Sequence, residues 1–304
     1  MPITSASFQA GGGFYELPLE GLITNDMRHF DDGAASIYTM FLNNKGRILY
    51  DAIIHKWKEE HSYLVECDKQ ISDLLCKHLK VYRLKKKIDI EDISRDFNVL
   101  ALISPTDPAS SIEFENVGRV NYCKDPRLSD LGYRVLAQNV LTVDEIGKIF
   151  GDNVIVYNDD REYKYLRYKL GVSEGVDDLS VGSSFPLEAN CDFLNGVSFQ
   201  KGCYIGQELT ARVHHTGVIR KRFMPLKFDQ HVEGRIHKDD EIVANNNTKL
   251  NLGKIKGTIR EYALGLVKTK GALETGLLAV DRYKAEVIKP IWWPTETPKD
   301  KLTL

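Results

Sequence analysis

Cys203 stands in the run FQKGCYIGQELTARVHH (199–215), with Lys201 two positions before it, Gly202 and Gly206 on either side, and a helical pattern directly after. The thiolate is the form of cysteine that attacks electrophiles and binds metals, and a nearby ammonium or helix amino terminus favours it over the thiol. From Gly206 to His215 the pattern predicts a short helix. Glu208 falls in its first turn, Arg212, His214 and His215 in its last, and Gly217 is placed to end it, so each charge complements the helix dipole. Leu209 and Val213, four apart, give the helix an inward face. Cys203 then falls just before the first turn, near N–H groups without helical partners and near the Lys201 ammonium. Gly202 is expected to let the backbone turn and Gly206 to let another group come close. This setting reads as a reactive or ligating thiolate, against the plainer reading of a small buried thiol that fills space.

The other four cysteines are Cys67, Cys76, Cys123 and Cys191. Cys67 ends a strand pattern and Cys76 is embedded in a helix, so packing explains both. Cys191, in LEANCDFLNG, is a candidate second ligand that a loop could bring near Cys203. The odd count and the lack of CxxC pairs indicate a reducing compartment. No local motif supplies the four ligands of a structural zinc site or the several thiolates of an iron-sulfur cluster. His214 and His215 are adjacent and point roughly 100 degrees apart on a helix, so they cannot chelate one ion together and are expected to hydrogen-bond the helix end. Their distance along the helix also makes a Cys203–histidine nucleophile awkward. The basic run Arg220, Lys221, Arg222 is expected to solvate an edge, and Glu188 to pair with a basic neighbour.

These residues need a scaffold. In the first part RILYDAIIHK (47–56) and SYLVEC (62–67) read as two strands joined by the polar turn KEEH, with Asp68 as cap of a helix from Lys69 to about Lys85. Ile71, Leu74, Leu75, Leu79 and Tyr82 form its apolar face, and Lys85, Lys86 and Lys87 suit its negative pole. FNVLALI (97–103) and Val154–Tyr157 are further strand candidates, with TDPASS and CKDPRLSD as connections. Asp159 or Asp160 caps a helix carrying Tyr163, Leu166 and Leu170, stopped by Gly171. Past Arg222 the texture changes to short strands separated by Gly, Asn and Asp, which predicts a small all-β barrel or sandwich. The class is therefore α+β, divided as 1–222 and 223–304, with Trp292 and Trp293 latching the carboxyl end onto the body.

At 304 residues, 42% hydrophobic and 28% charged, this is an ordinary globular composition. A formal net charge of −2 gives no long-range attraction to nucleic acid or anionic membrane, and no run approaches the ~18 apolar residues of a membrane span. MPITSASFQAGGGF has neither the apolar stretch of a secretory signal nor the arginines of a transit peptide.

KGCYIGQE resembles the signature of the YgfZ-type proteins, relatives of the folate-binding T-protein of glycine cleavage that support iron-sulfur cluster assembly. GLITND (21–26), FLNNKGRILYD (41–51), YLRYKLGVSEGVDDL (165–179), FPLEANCDFLNGVSFQKGCYIGQELTARVHHTGVIRKR (185–222) and the terminal WWP are similar to the mitochondrial branch. The resemblance implies a T-protein-like folate-binding fold of two interleaved α+β subdomains and a carboxyl-terminal β-barrel. It implies late-stage maturation of [4Fe-4S] proteins in the mitochondrial matrix, with an A-type carrier protein and client [4Fe-4S] apoproteins as partners. Cys203 is the implied metal ligand, to a [2Fe-2S] cluster shared with the carrier. Lys201 would hold the thiolate charged, while Tyr204, Gln207, Glu208 and Arg212 would contact the partner or a pterin; tetrahydrofolate is the ligand that the fold implies. The competing reading is a tetrahydrofolate-dependent aminomethyl transferase in which Asp51 or Glu188 polarises the amine. The T-proteins' aspartate pair appears here as Tyr50 and Asp51, and their GYTGE segment has no counterpart near LGYRVL (131–136), departures that count against aminomethyl transfer.

Overall fold

The computed structural model describes residues 4–9, 18–57, 62–85, 87–103, 119–150 and 154–295. The expected turns KEEH and TDPASS, and Lys86, lie outside them. Two antiparallel sheets and a barrel make up the frame, so the α+β class and the carboxyl-terminal barrel are both as the sequence predicts. The first sheet runs β2-β3-β4-β1-β5, with β1 Thr4–Gln9, β2 Ser36–Leu42, β3 Ile48–Lys56, β4 Ser62–Cys67 and β5 Asp89–Asp92. The second, order β6-β8-β7, uses β6 Phe97–Leu102, β7 Val120–Lys124 and β8 Tyr133–Gln138.

Both faces of the first sheet are covered, and the period of two sorts its side chains. On one face Ile37, Phe41, Tyr50, Ala52 and Ile54 join Leu75 and Leu79 of α1 (Ser72–Tyr82). On the other, Tyr38, Met40, Leu42, Ile48 and Ile53 meet Tyr168, Leu194 and Phe223. Ile48 would share the face of Tyr50 by simple alternation. A bulge between Phe41 and Leu42 in the β2–β3 pairing returns it to the face of Ile53 and Asp51. Asp68 caps the short turn that leads into α1 by accepting from Gln70 N at 2.8 Å. After β8 comes α2 (Val143–Ile149), opened by a reciprocal Thr142–Glu145 capping box. Val154–Tyr157 forms no strand; Val154 packs as a side chain against the core between the second sheet and α2.

The helix predicted before Gly171 is α3, Arg161–Leu170. Gly171 has φ +79°, and a Cβ there would come within 2.6 Å of Pro225 Cδ, so the residue both ends the helix and lets it abut the barrel. A short α4 (Gly175–Asp178) follows. The barrel closes in the order β10-β11-β12-β9-β14-β13, from β9 (Lys221–Phe228) through β10 (Glu241–Ala244), β11 (Asn247–Ile259), β12 (Tyr262–Lys268) and β13 (Leu277–Val280) to β14 (Tyr283–Val287). Met224, Leu226, Ile242, Ile255 and Val267 fill it. Trp292 donates from Nε1 to Leu170 O at 2.9 Å and Trp293 tilts against Phe193, so both tryptophans latch the carboxyl end as expected.

Candidate functional site

The helix after Cys203 is α5, Gln207–Thr216, and Gly206 is its left-handed amino-terminal cap at φ +78°. A Cβ on Gly206 would lie 2.4 Å from Asn43 O and 3.1 Å from Gly46 Cα. The β2–β3 hairpin and the start of α5 therefore touch backbone to backbone, which only glycine permits. Gly202 has open space around its Cα, so the steric demand falls on Gly206 alone.

Lys201 is placed otherwise than its spacing suggests. Its buried Nζ donates to Glu20 O at 2.7 Å, Ile23 O at 3.0 Å and Asn25 O at 2.6 Å, and lies 3.1 Å from Glu20 Oε1. The ammonium has three protons, and three carbonyls receive them. Burial lowers the Lys201 pKa, opposed by Glu20. The residue anchors the loop to the segment 20–25 instead of serving as a counter-charge for the thiol. Ile205 N, donating to Gly21 O at 3.0 Å, ties the same loop down on its other side.

With the loop fixed from behind, Cys203 faces outward: it is the exposed cysteine of the five, while Cys67, Cys76 and Cys191 are buried and Cys123 is half-buried. Cys191, the candidate second ligand, is fully enclosed beside Gly196, and burial pushes its thiol pKa well up, so it cannot share an ion with Cys203 at the surface. Of the other residues assigned to the site, Tyr204 is buried under the loop beneath the Lys201 ammonium. Gln207 is half-buried at the helix start, while Glu208 and Arg212 are exposed on α5 and 3.9 Å apart. The two groups thus separate into a buried anchor, Lys201 and Tyr204, and an outer face around Cys203, Glu208 and Arg212. His214 stacks on Phe199 with ring centroids 3.5 Å apart, and His215 meets the same ring edge-on. Arg222 is no solvated edge, since its guanidinium is buried and paired with Asp192 at 2.8 Å.

A second constellation, which no sequence spacing announces, lines the cavity between the sheets and α3. Arg127 is fully buried and donates to Asp125 Oδ2, Glu174 Oε2 and Tyr163 Oη, each at 2.7 Å. Arg134 bonds Glu66, and Arg167 donates to Asp178 Oδ2 at 2.8 Å. Burial pushes Glu174 toward its neutral form, but Arg127, Arg134 and Arg167 outweigh it and hold the carboxyl far below its usual range. Asp51 lacks such a partner. It accepts from Gly175 N at 3.1 Å and lies 3.5 Å from Tyr38 Oη, and burial, with the charge of Glu174, lifts its pKa to about 7. Glu188, the other candidate carboxylate, accepts from Phe185 N at 3.3 Å and is shifted upward by burial.

Among the acids that line the cavity, Glu66, Glu174 and Asp178 are engaged by arginines, whereas Asp51 holds Gly175 N and Asp68 holds Gln70 N and Val176 N. The buried donors still without partners, Arg134 Nε and Arg167 Nε, belong to cations and suit an acceptor.

Residues 220–295 match the family model described as the CAF17 C-terminal beta-barrel domain. Over its length the chain is 35% identical to the mitochondrial iron-sulfur cluster assembly factor IBA57 of Mus musculus, covering 96% of this chain and 81% of that protein. It is 36% identical to the Homo sapiens protein of the same name, covering 91% and 80%. A homolog in Dictyostelium discoideum is 36% identical over 68% of this chain and 57% of its own. Among solved structures, glycine cleavage system aminomethyltransferase T from Bartonella henselae superposes with a TM-score of 0.72 over 96% of this chain and 84% of that one. At 13% identity that likeness is one of fold.

Proposed function

This chain belongs to the IBA57 family of mitochondrial iron-sulfur cluster assembly factors, and from that premise we propose that Cys203 is the ligand it lends to a [2Fe-2S] cluster shared with an A-type carrier protein. In this reading the pair acts late in the matrix pathway, delivering [4Fe-4S] clusters to client apoproteins, and the cluster is cargo. The observation that carries the reading is the exposed Cys203 on a loop pinned by the buried Lys201. One thiolate supplies one of the several ligands that a cluster takes, so the visiting protein supplies the rest. Among the described residues no group of three or more His, Cys, Asp or Glu is placed to hold a metal ion. Glu208 and Arg212, exposed one turn apart on α5, would meet the carrier beside the thiol.

The test is anaerobic mixing of the chain with a cluster-loaded A-type carrier, read by size exclusion and visible absorption. Wild type should form a coloured heterocomplex, and Cys203→Ala should lose both complex and altered spectrum while keeping its fold. An identical complex and spectrum from Cys203→Ala would refute the assignment.

A further inference from the structure

Cys123 on β7, His55 at the end of β3 and Glu66 on β4 meet where the two sheets pack, although 68 residues separate Cys123 from His55. His55 Nε2 lies 3.0 Å from Glu66 Oε2, and both side chains are buried. A carboxylate only accepts, so Nε2 carries the hydrogen and, in the neutral ring, Nδ1 is an acceptor. Nδ1 faces the Cys123 thiol at 3.7 Å. The thiol also donates to Ser36 Oγ at 3.2 Å, and Ser36 is the cross-strand partner of His55. Unlike the imidazole, Cys123 is half-buried and sits on an edge strand of the second sheet. Thiol, oriented imidazole and orienting carboxylate are the three parts of an activated sulfur nucleophile.

We propose that Cys123, His55 and Glu66 form a thiol-exchange site that takes low-molecular-weight disulfides, separate from Cys203 and its cluster. His55 Nδ1 takes the proton from Cys123, and the Ser36 hydroxyl turns to donate to the sulfur anion. The thiolate attacks one sulfur of the disulfide: a Cys123–sulfur bond forms, the original S–S bond breaks, and the departing thiolate takes the proton from the His55 imidazolium. One thiol and one disulfide enter, and one mixed disulfide and one thiol leave.

Charge around the imidazole favours holding that proton. Four elements face it: β2 through Ser36, β4 through Glu66, β7 through Cys123, and β8 through Arg134, which bonds the far oxygen of Glu66. Burial favours the neutral ring, but Cys123 and Glu66 outweigh it and lift the His55 pKa to about 9. A structural role alone would explain the His55–Glu66–Arg134 chain as a tie between the sheets. It would not require a half-exposed thiol at the remaining ring nitrogen.

The experiment is alkylation of the full chain by iodoacetamide at pH 6 and pH 8, followed cysteine by cysteine through peptide mass spectrometry. An ordinary thiol loses roughly 100-fold in rate over those two units below its pKa. Cys123 should lose less than about tenfold in the folded chain and the full amount in urea. Oxidised glutathione should give a mixed disulfide on Cys123 that dithiothreitol reverses, and folded His55→Asn should restore the steep pH dependence. The proposal is overturned if Cys123 in the folded chain follows the denatured profile, if oxidised glutathione modifies Cys203 but leaves Cys123 untouched, or if folded His55→Asn keeps the shallow profile. The wild-type pH comparison decides the matter even where His55→Asn fails to fold.

Discussion

Replacing Asp51 by Asn should stabilise the protein, and more so at high pH. Asp51 is buried, accepts from Gly175 N, and sits beside Glu174, a carboxylate that three arginines keep ionised. Its pKa rises from 3.8 to about 7, so folding takes up a proton between those values and stability from this group falls as pH climbs from 3.8 to 7. At about 1.4 kcal/mol per pKa unit, the penalty is about 4 kcal/mol at pH 8 and about 1.6 kcal/mol at pH 5. Asn is nearly the shape of the neutral acid and its carbonyl can still accept from Gly175 N. Asp51→Asn should therefore gain about 2 to 3 kcal/mol more at pH 8 than at pH 5, a difference from which any constant packing cost cancels. Urea denaturation at the two pH values, with equal slopes for both proteins, measures it. An identical effect of the substitution at both pH values would mean that Asp51 is ionised in the fold and that the account of the cavity's charges is wrong.

Two further outcomes follow from other buried charges. His55 has the opposite consequence with pH: because its pKa rises from 6.5 to about 9, it contributes about 3 kcal/mol that is fully present below 6.5 and lost as pH rises through 9. Urea titrations from pH 6.5 to 10 should show that loss in wild type and not in His55→Asn. Lys201→Met should destabilise by about 3 kcal/mol or more, since it strips three buried carbonyls of their shared donor. Thermal melts measure this, and a Tm equal to wild type would show that the loop needs no such anchor.

Local signals in the sequence were reliable where one segment decides its own shape. The stop at Gly171, the turn before α1 with its Asp68 cap, the extent of α5 and the strand-rich texture after Arg222 all depend on neighbours a few positions away. Val154–Tyr157 has the β-branched pattern of a strand but pairs with neither edge of the β6-β8-β7 sheet, and Val154 packs against that sheet's core as a side chain instead. Lys201 looked like a partner for Cys203 because the two are close in sequence; its donors are instead satisfied by residues 20–25, nearly 180 positions away. The cavity's arginines and the Cys123–His55–Glu66 cluster were invisible for the same reason. Their members come from separate strands and loops, and each alone reads as an ordinary polar position.

The long-range contacts make one unit of three segments that the sequence presents as scattered. GLITND supplies two of the three carbonyls that hold Lys201, FLNNKGRILYD supplies the hairpin that meets Gly206, and KGCYIGQE supplies the loop between them. Every strong constraint in that unit points inward, and Cys203 is what remains outside. If Cys203 ligates a shared cluster as proposed, a thiolate on such a pinned loop loses little conformational freedom when the partner arrives, so more of that bond would appear as affinity. In the central cavity the arginines meet the chain's own carboxylates through most of their donors, with Arg134 Nε and Arg167 Nε left over.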